Sequence, residues 1–386
     1  MPSPFTCLLA LASLASSSVC AGPKPELKAK SFLLFAGTYT QKESKGIYAW
    51  RFNAATGEVE ALGLAAETVN PSFLVLHPNG KTLYAVNEVD SFQGQRSGAV
   101  SAFSVDRATG RLALLNQVAS GGADPCHLAL DRSGRHLFVA NYTGGSVAVL
   151  PLEMDGRLKE ASDLVQHVGT VVDPKRQGAP HAHAVTLSPD ERFAFVTDLG
   201  LDRIFSYRFD ATKGTLSPNE VPFARVAPGA GPRHFTFHPA GRLAYAINEL
   251  QSSVTAFAFD PKLGALLELQ TTSTLPAEAK GENDCAEILI HPNGKFLYGS
   301  NRGHDSLAVF GIGPGGLISP LEYVPTGGRT PRHFAMDPTG AYLFAENQAS
   351  NNVVLFRVDA KTGRVTPTGK TFSVGAPVCL TFMSLD

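Results

Sequence analysis

The chain has 386 residues, 44% hydrophobic and only 17% charged, with a formal net charge of −1. That balance excludes a global field that would gather nucleic acid or an anionic membrane, so any charge selectivity must be local. The 37 glycines and 26 prolines favour many tight turns over long helices, and the length suits one large all-β unit.

The N-terminal stretch MPSPFTCLLALASLASSSVCA reads as an export signal. Phe5 to Leu14 is a short apolar run, too brief to span a bilayer. Small residues follow, and Val19, Cys20 and Ala21 offer a cleavage site, although no Lys or Arg precedes the run. The expectation is a signal at residues 1–21, a linker at 22–29 and a periplasmic or secreted protein. No later segment approaches the ~20 apolar residues of a membrane helix.

Beyond the linker the chain repeats. A short apolar strand, a turn such as His-Pro-x-Gly and a second apolar strand ending in Asn or Asp recur six times. The copies are PSFLVLHPNGKTLYAVNE from Pro71, PCHLALDRSGRHLFVANY from Pro125, AHAVTLSPDERFAFVTDL from Ala182, PRHFTFHPAGRLAYAINE from Pro232, CAEILIHPNGKFLYGSNR from Cys285 and PRHFAMDPTGAYLFAENQ from Pro331. Each is followed by a third strand and a fourth extended stretch. The turns, at positions 78, 132, 189, 239, 292 and 338, lie 46 to 57 residues apart. Four strands at this period mark a β-propeller blade.

A seventh copy is split between the ends of the chain. FLLFAGTYT, GIYAWRF and TGEVEAL supply outer strands, and the C-terminal PVCLTFMSL supplies the inner one. Pairing the two ends closes the ring and removes exposed strand edges. The sequence thus predicts a seven-bladed propeller over residues 30–386, with no helix longer than a turn or two. Ring closure argues for a monomer. Cys126, Cys285 and Cys379 lack the close spacing of a zinc or redox motif and read as free buried thiols, with one disulfide left open.

Aligning the copies on the turn gathers the ionisable residues into columns. Six positions before the turn proline stand Ser72, Cys126, His183, Arg233, Ala286 and Arg332; five before stand Phe73, His127, Ala184, His234, Glu287 and His333. Ten after stand Glu88, Tyr142, Leu199, Glu249, Arg302 and Gln348. The strand pair is antiparallel with its tight turn at the far end, so these columns open on one face, at the mouth of the central channel. The column of Asn87, Asn141, Asp198, Asn248, Asn301 and Asn347 reads as structural, bonding local backbone. His77, His238 and His291 fall in the far turns and read as turn or surface residues. His127, His234 and His333 alternate with the pocket column and read as its buttress.

His183, Arg233, Glu249 and Arg302 converge from neighbouring blades. A carboxylate beside two guanidiniums stays ionised, and two Arg forks can hold an anion. These four are the expected catalytic set, with His181, His127, Glu287, Arg332 and Glu88 expected to bind substrate. His181 and His183, two apart on one strand, could share a metal, but no third ligand accompanies them, so neither metal nor other cofactor is expected. No phosphate loop, nucleophile elbow or zinc-protease helix is present.

With GTYT near the N-terminus, the segments GPRHFTFHPAGRLAYAINEL, CAEILIHPNGKFLYGSNRG and TPRHFAMDPTGAYLFAENQ resemble the propeller lactonases. That family includes bacterial 6-phosphogluconolactonases of the propeller type and a fungal carboxy-muconate lactonizing enzyme. The resemblance covers nearly the whole chain beyond the signal. It implies a metal-free seven-bladed propeller with a His, two Arg and a Glu in the channel mouth. By motif these fall on His183, Arg233, Glu249 and Arg302, with His181 as the rival histidine. The implied activity is hydrolysis of a sugar lactone, 6-phosphogluconolactone or a related aldonolactone. In that reading the two arginines grip the anionic group and oxyanion, and Glu249 or His183 serves as base, with His183 favoured because an ionised Glu between two Arg is a weak base. Two alternatives stand beside it: a muconate-type cycloisomerase, and a non-catalytic exported propeller that binds a sugar acid or a protein.

Overall fold

The computed structural model describes residues 31–41, 43–169 and 175–386, all within one ring of seven four-stranded antiparallel sheets. The predicted signal and linker lie outside the described residues. Blades 1 to 6 follow chain order, beginning with innermost strands Leu74–Leu76, Pro125–Leu130, Ala182–Leu187, Pro232–Phe237, Asp284–Ile290 and Pro331–Met336. Blade 7 joins the ends of the chain. Its innermost strand is Pro377–Ser384, paired antiparallel with Ser31–Thr38, and Gly46–Asn53 and Glu58–Glu67 complete it. The split copy closes the ring as the repeat predicted. Among the described residues the only helical pieces are the 3₁₀ turns Pro314–Gly316 and Gln348–Ser350, and no helix is long and apolar enough to cross a membrane.

The inner strands are apolar on both faces because neighbouring blades cover both sides of each sheet, while outermost strands such as Thr215–Arg225 are largely exposed. Seven apolar clusters fill the seven seams, each drawn from two adjacent blades. Full burial of such a Phe or Leu is worth roughly 1.5–3 kcal/mol. At the closing seam Phe52 of blade 7 meets Tyr342 and Phe344 of blade 6 edge-on, at 5.3 and 5.1 Å between centroids. Such aromatic pairs add about 0.5–1.5 kcal/mol beyond area burial.

Polar stitches repeat alongside the apolar ones. The Nε2 atoms of His77, His238 and His291 lie 2.9, 2.7 and 3.1 Å from the carbonyls of Gly134, Gly294 and Gly340 on the next blade. These far-face histidines are therefore inter-blade ties rather than surface residues, and His291 is buried. Gly134 has φ +66°, and a Cβ there would lie 2.4 Å from His77 Nε2, so the turn needs glycine for both reasons. The Asn column is buried, but its backbone bonds are not local as expected: Asn87, Asn141, Asn301 and Asn347 each donate to a carbonyl in the connection arriving from the preceding blade, as Asn301 Nδ2 does to Thr274 O at 2.8 Å. Cys126, Cys285 and Cys379 are free and buried.

Candidate active site

Each site column sits at an irregularity of its inner strand. In blade 4, Pro232 pairs with Asn248 and His234 with Ile247, leaving Arg233 as an extra residue. The same one-residue bulge isolates Cys126, His183 and Arg332 in blades 2, 3 and 6, and in blade 5 Ala286 and Glu287 together face the single residue Ser300. A bulge breaks strict alternation. Two successive residues therefore turn toward the axis, and the rings of His183 and His234, from different columns, approach to 5.2 Å. The expectation that His127, His234 and His333 stand behind the pocket is corrected here. They line the channel one step deeper.

Glu249, 5% exposed, is the hub of the upper layer. Arg176 Nη2 lies 2.5 Å from its Oε1, and Arg302 Nη2 and Arg233 Nε lie 2.8 and 3.0 Å from its Oε2. The Arg233 Nε–H does not align with that oxygen, so this contact is an ion pair without a hydrogen bond. Arg233, only 2% exposed, is held instead by Nη1 donating to Ala286 O at 2.7 Å. Arg302 donates to the carbonyls of Asp284 and Cys285 at 3.3 and 2.9 Å. Burial works to raise the Glu249 carboxyl, but Arg302, Arg233, Arg176 and Arg332 outweigh it and hold it at about 2.

Arg176 was not foreseen. It comes from the connection between Asp163–Gln166 and Ala182–Leu187, outside every repeat column, and also reaches Asp284 Oδ2 at 3.4 Å. The one signal for it was spacing: the interval from 132 to 189 is the longest between turns.

The two rival histidines differ in setting. His183 is buried, with Nδ1 3.8 Å from Cys126 Sγ. Burial, Arg233, His234 and Arg332 all push its imidazole well below the ordinary histidine range. His181 is half-buried at the rim and stacks on Tyr142 at 4.4 Å. Its Nδ1 lies 3.1 Å from the Tyr142 carbonyl, which can only accept. The proton is therefore on Nδ1, and the lone pair of the neutral ring is on Nε2.

Below this layer lies a second cluster. His333 Nδ1 is 2.6 Å from Glu346 Oε2, and His333 Nε2 and His234 Nδ1 are 3.3 and 3.0 Å from Glu287 Oε2. Burial disfavours charge on Glu287, but His234 and His333 outweigh it and keep that carboxyl at about 2. Burial, only partly offset by Glu287, lowers His234 to about 4. His127 packs on Phe73 at 4.2 Å and on His234 at 5.1 Å. The structure thus places His127 and Glu287, two of the expected substrate contacts, in this deeper layer.

Glu88 and Arg332 face the hub from the other side of the mouth. Tyr39 Oη lies 2.9 Å from both Glu88 oxygens, and Ser72 Oγ also donates to Glu88. The Arg332 guanidinium lies over the Tyr39 ring, 5.4 Å from its centroid. The larger clefts, such as the one lined by Tyr342 and Arg357, lie on outer strands away from these charges. Among the described residues no group of three or more His, Cys, Asp or Glu could hold a metal.

The family model "Lactonase, 7-bladed beta-propeller" matches residues 33–382. The chain belongs to this lactonase family. It is 35% identical over 353 residues to the 6-phosphogluconolactonase of Bacillus subtilis, covering 91% of this chain and 98% of that one. A putative 6-phosphogluconolactonase structure from Bacteroides fragilis superposes with TM-score 0.85 at 38% identity, covering 93% and 99%. The periplasmic gluconolactonase of Pseudomonas aeruginosa superposes with TM-score 0.86 at 35% identity, covering 92% and 100%.

The charge layers of this lactonase predict its acid sensitivity. Glu249 and Glu287 fall from an ordinary 4.5 to about 2 on folding. Each therefore contributes stability that is full above pH 4.5 and lost as pH falls toward 2. His234, lowered from 6.5 to about 4, stays neutral where the unfolded chain binds a proton, so its share is lost between those values. His333, raised above 6.5, has the opposite sign and weakens only on the alkaline side. Urea midpoints should decline below pH 6.5 and drop most steeply between 4.5 and 2. A flat profile over that range would overturn the assignment of charges.

Proposed function

We propose that the channel mouth hydrolyses a sugar lactone to the open hydroxy acid without a metal. The observation that carries this reading is one ionised carboxylate clamped by three guanidiniums, which leaves an excess of positive charge where the channel opens. Arg302 is 14% exposed at its side chain, and its Nη1 has no hydrogen-bond partner among the described residues. It donates to the lactone carbonyl, and the excess charge stabilises the oxyanion that forms there. Glu249 is too weak a base for water and instead fixes the arginines. His181 Nε2 takes the proton from the attacking water. Water oxygen bonds to the carbonyl carbon and the π pair moves onto oxygen. Collapse then breaks the ring C–O bond, and the leaving alkoxide takes the proton back from the imidazolium. The geometry favours His181 over His183 in this role, because cations around His183 oppose the proton it would have to hold.

The apolar Phe5–Leu14 run and the periplasmic relative support export of this protein. The test of function is a panel of plain and phosphorylated lactones, with acid release followed by pH-stat in a buffer that suppresses spontaneous opening. Saturable opening, unchanged by a chelator, is expected. Binding of a sugar acid or lactone without turnover would support the non-catalytic reading instead.

A further inference from the structure

The mouth has two poles of different chemistry. The reacting pole, with His181, Arg176, Glu249 and Arg302, comes from blades 3 to 5 and the connection into blade 3. The opposite pole, with Arg332, Tyr39, Glu88 and Ser72, comes from blades 6, 7 and 1. A lactone whose carbonyl sits at the first pole extends its far end toward the second. Arg332 there makes no hydrogen bond to the protein and has no carboxylate within ion-pair distance among the described residues. A guanidinium carries five donors, and leaving them unused beside a channel suits a ligand oxygen.

What surrounds Arg332 decides which oxygen. Glu88 shares this pole, hydrogen-bonded by two neutral hydroxyls and close enough for its charge to act on Arg332. Beside Tyr39 opens a cleft of about 280 Å³ whose described lining includes Tyr39, Gln41, Glu43, Ser44, Gln348 and Asn351. A phosphate monoester, close to dianionic at neutral pH, calls for several cations and N–H donors and no carboxylate. One guanidinium beside one carboxylate, with amides and hydroxyls around them, suits the hydroxyls of a polyol, which both donate and accept.

We propose that the Arg332–Tyr39–Glu88 pole reads the hydroxyl end of an unphosphorylated aldonolactone and selects against its 6-phosphate. This rests on the lactonase reading and deepens it. Arg332 donates to a sugar hydroxyl oxygen, and Glu88 accepts from a sugar hydroxyl while repelling a phosphate placed there.

The test compares kcat/KM for an aldono-1,5-lactone and for its 6-phosphate on the full mature protein. The wild type should favour the plain lactone by about tenfold or more, equivalent to about 1.4 kcal/mol. Glu88→Gln keeps the shape and removes the repulsion, so it should shift the ratio toward the phosphorylated lactone by about tenfold. Arg332→Gln should raise KM for the plain lactone more than it lowers kcat. Equal rates, or a preference for the phosphate that Arg332→Gln abolishes, would overturn the inference while leaving lactone hydrolysis standing. Failure to open either lactone would instead sink the functional reading itself. If Glu88→Gln does not fold, the wild-type ratio and Arg332→Gln still decide.

Discussion

Replacing Glu249 by Gln should cost both activity and stability. The substitution keeps the volume and removes the single negative charge that Arg176, Arg233 and Arg302 share within 3.0 Å. Breaking a buried ion pair by removing one partner typically costs about 3–5 kcal/mol, because the remaining charge stays buried and uncompensated. Arg233 is the most enclosed of the three and bears most of this. Its guanidinium and that of Arg302 would swing away from the hub, and kcat/KM should fall by about 10²–10³, the scale seen when one oxyanion donor is lost. Urea unfolding and initial lactone rates on the same preparation separate the two effects. Glu249→Asp, which keeps the charge, should recover part of the stability. Wild-type kinetics and an unchanged urea midpoint in Glu249→Gln would contradict the hub.

His181→Ala should lower kcat by about 10²–10⁴, the usual worth of a positioned general base, with little loss of stability because the side chain is half-buried at the rim. Added imidazole should restore part of the rate by entering the vacated space against Tyr142. His183→Ala should behave differently. That ring is buried between Cys126, Tyr142 and His234, so its loss leaves a cavity that unsettles the upper layer. Its effect should appear mainly in the urea midpoint, and imidazole should not rescue it. If rescue occurs at position 183 and not at 181, the two histidines exchange roles.

The ring was legible because its signal is repeated. Six copies of one strand–turn–strand pattern, plus a seventh cut in two, leave little freedom in topology. Inner strands apolar on both faces follow from blades covered on both sides. The hub was legible for the same reason: Arg233, Glu249 and Arg302 occupy fixed offsets from their turns, and register carries them to one end of the strand pairs. Two things escaped. The bulges that turn both Arg233 and His234 toward the axis follow from backbone pairing, which period-two reasoning treats as regular. Arg176 lies in a connection with no repeat to align it against, and only the long interval before residue 189 hinted at added sequence. The tautomer that separates His181 from His183 depends on a carbonyl 39 residues away, a contact no local pattern encodes.

Strands Ser31–Thr38 and Pro377–Ser384 lie far apart along the chain, yet they dock side by side. Arg332 and Tyr39 stand beside that junction, so this side of the mouth forms only once the two strands have met. A chain cut before Pro377 would keep Glu249 and its arginines but leave Arg332 and Tyr39 without the strand pair that supports them. Contacts so distant in sequence also make folding slow.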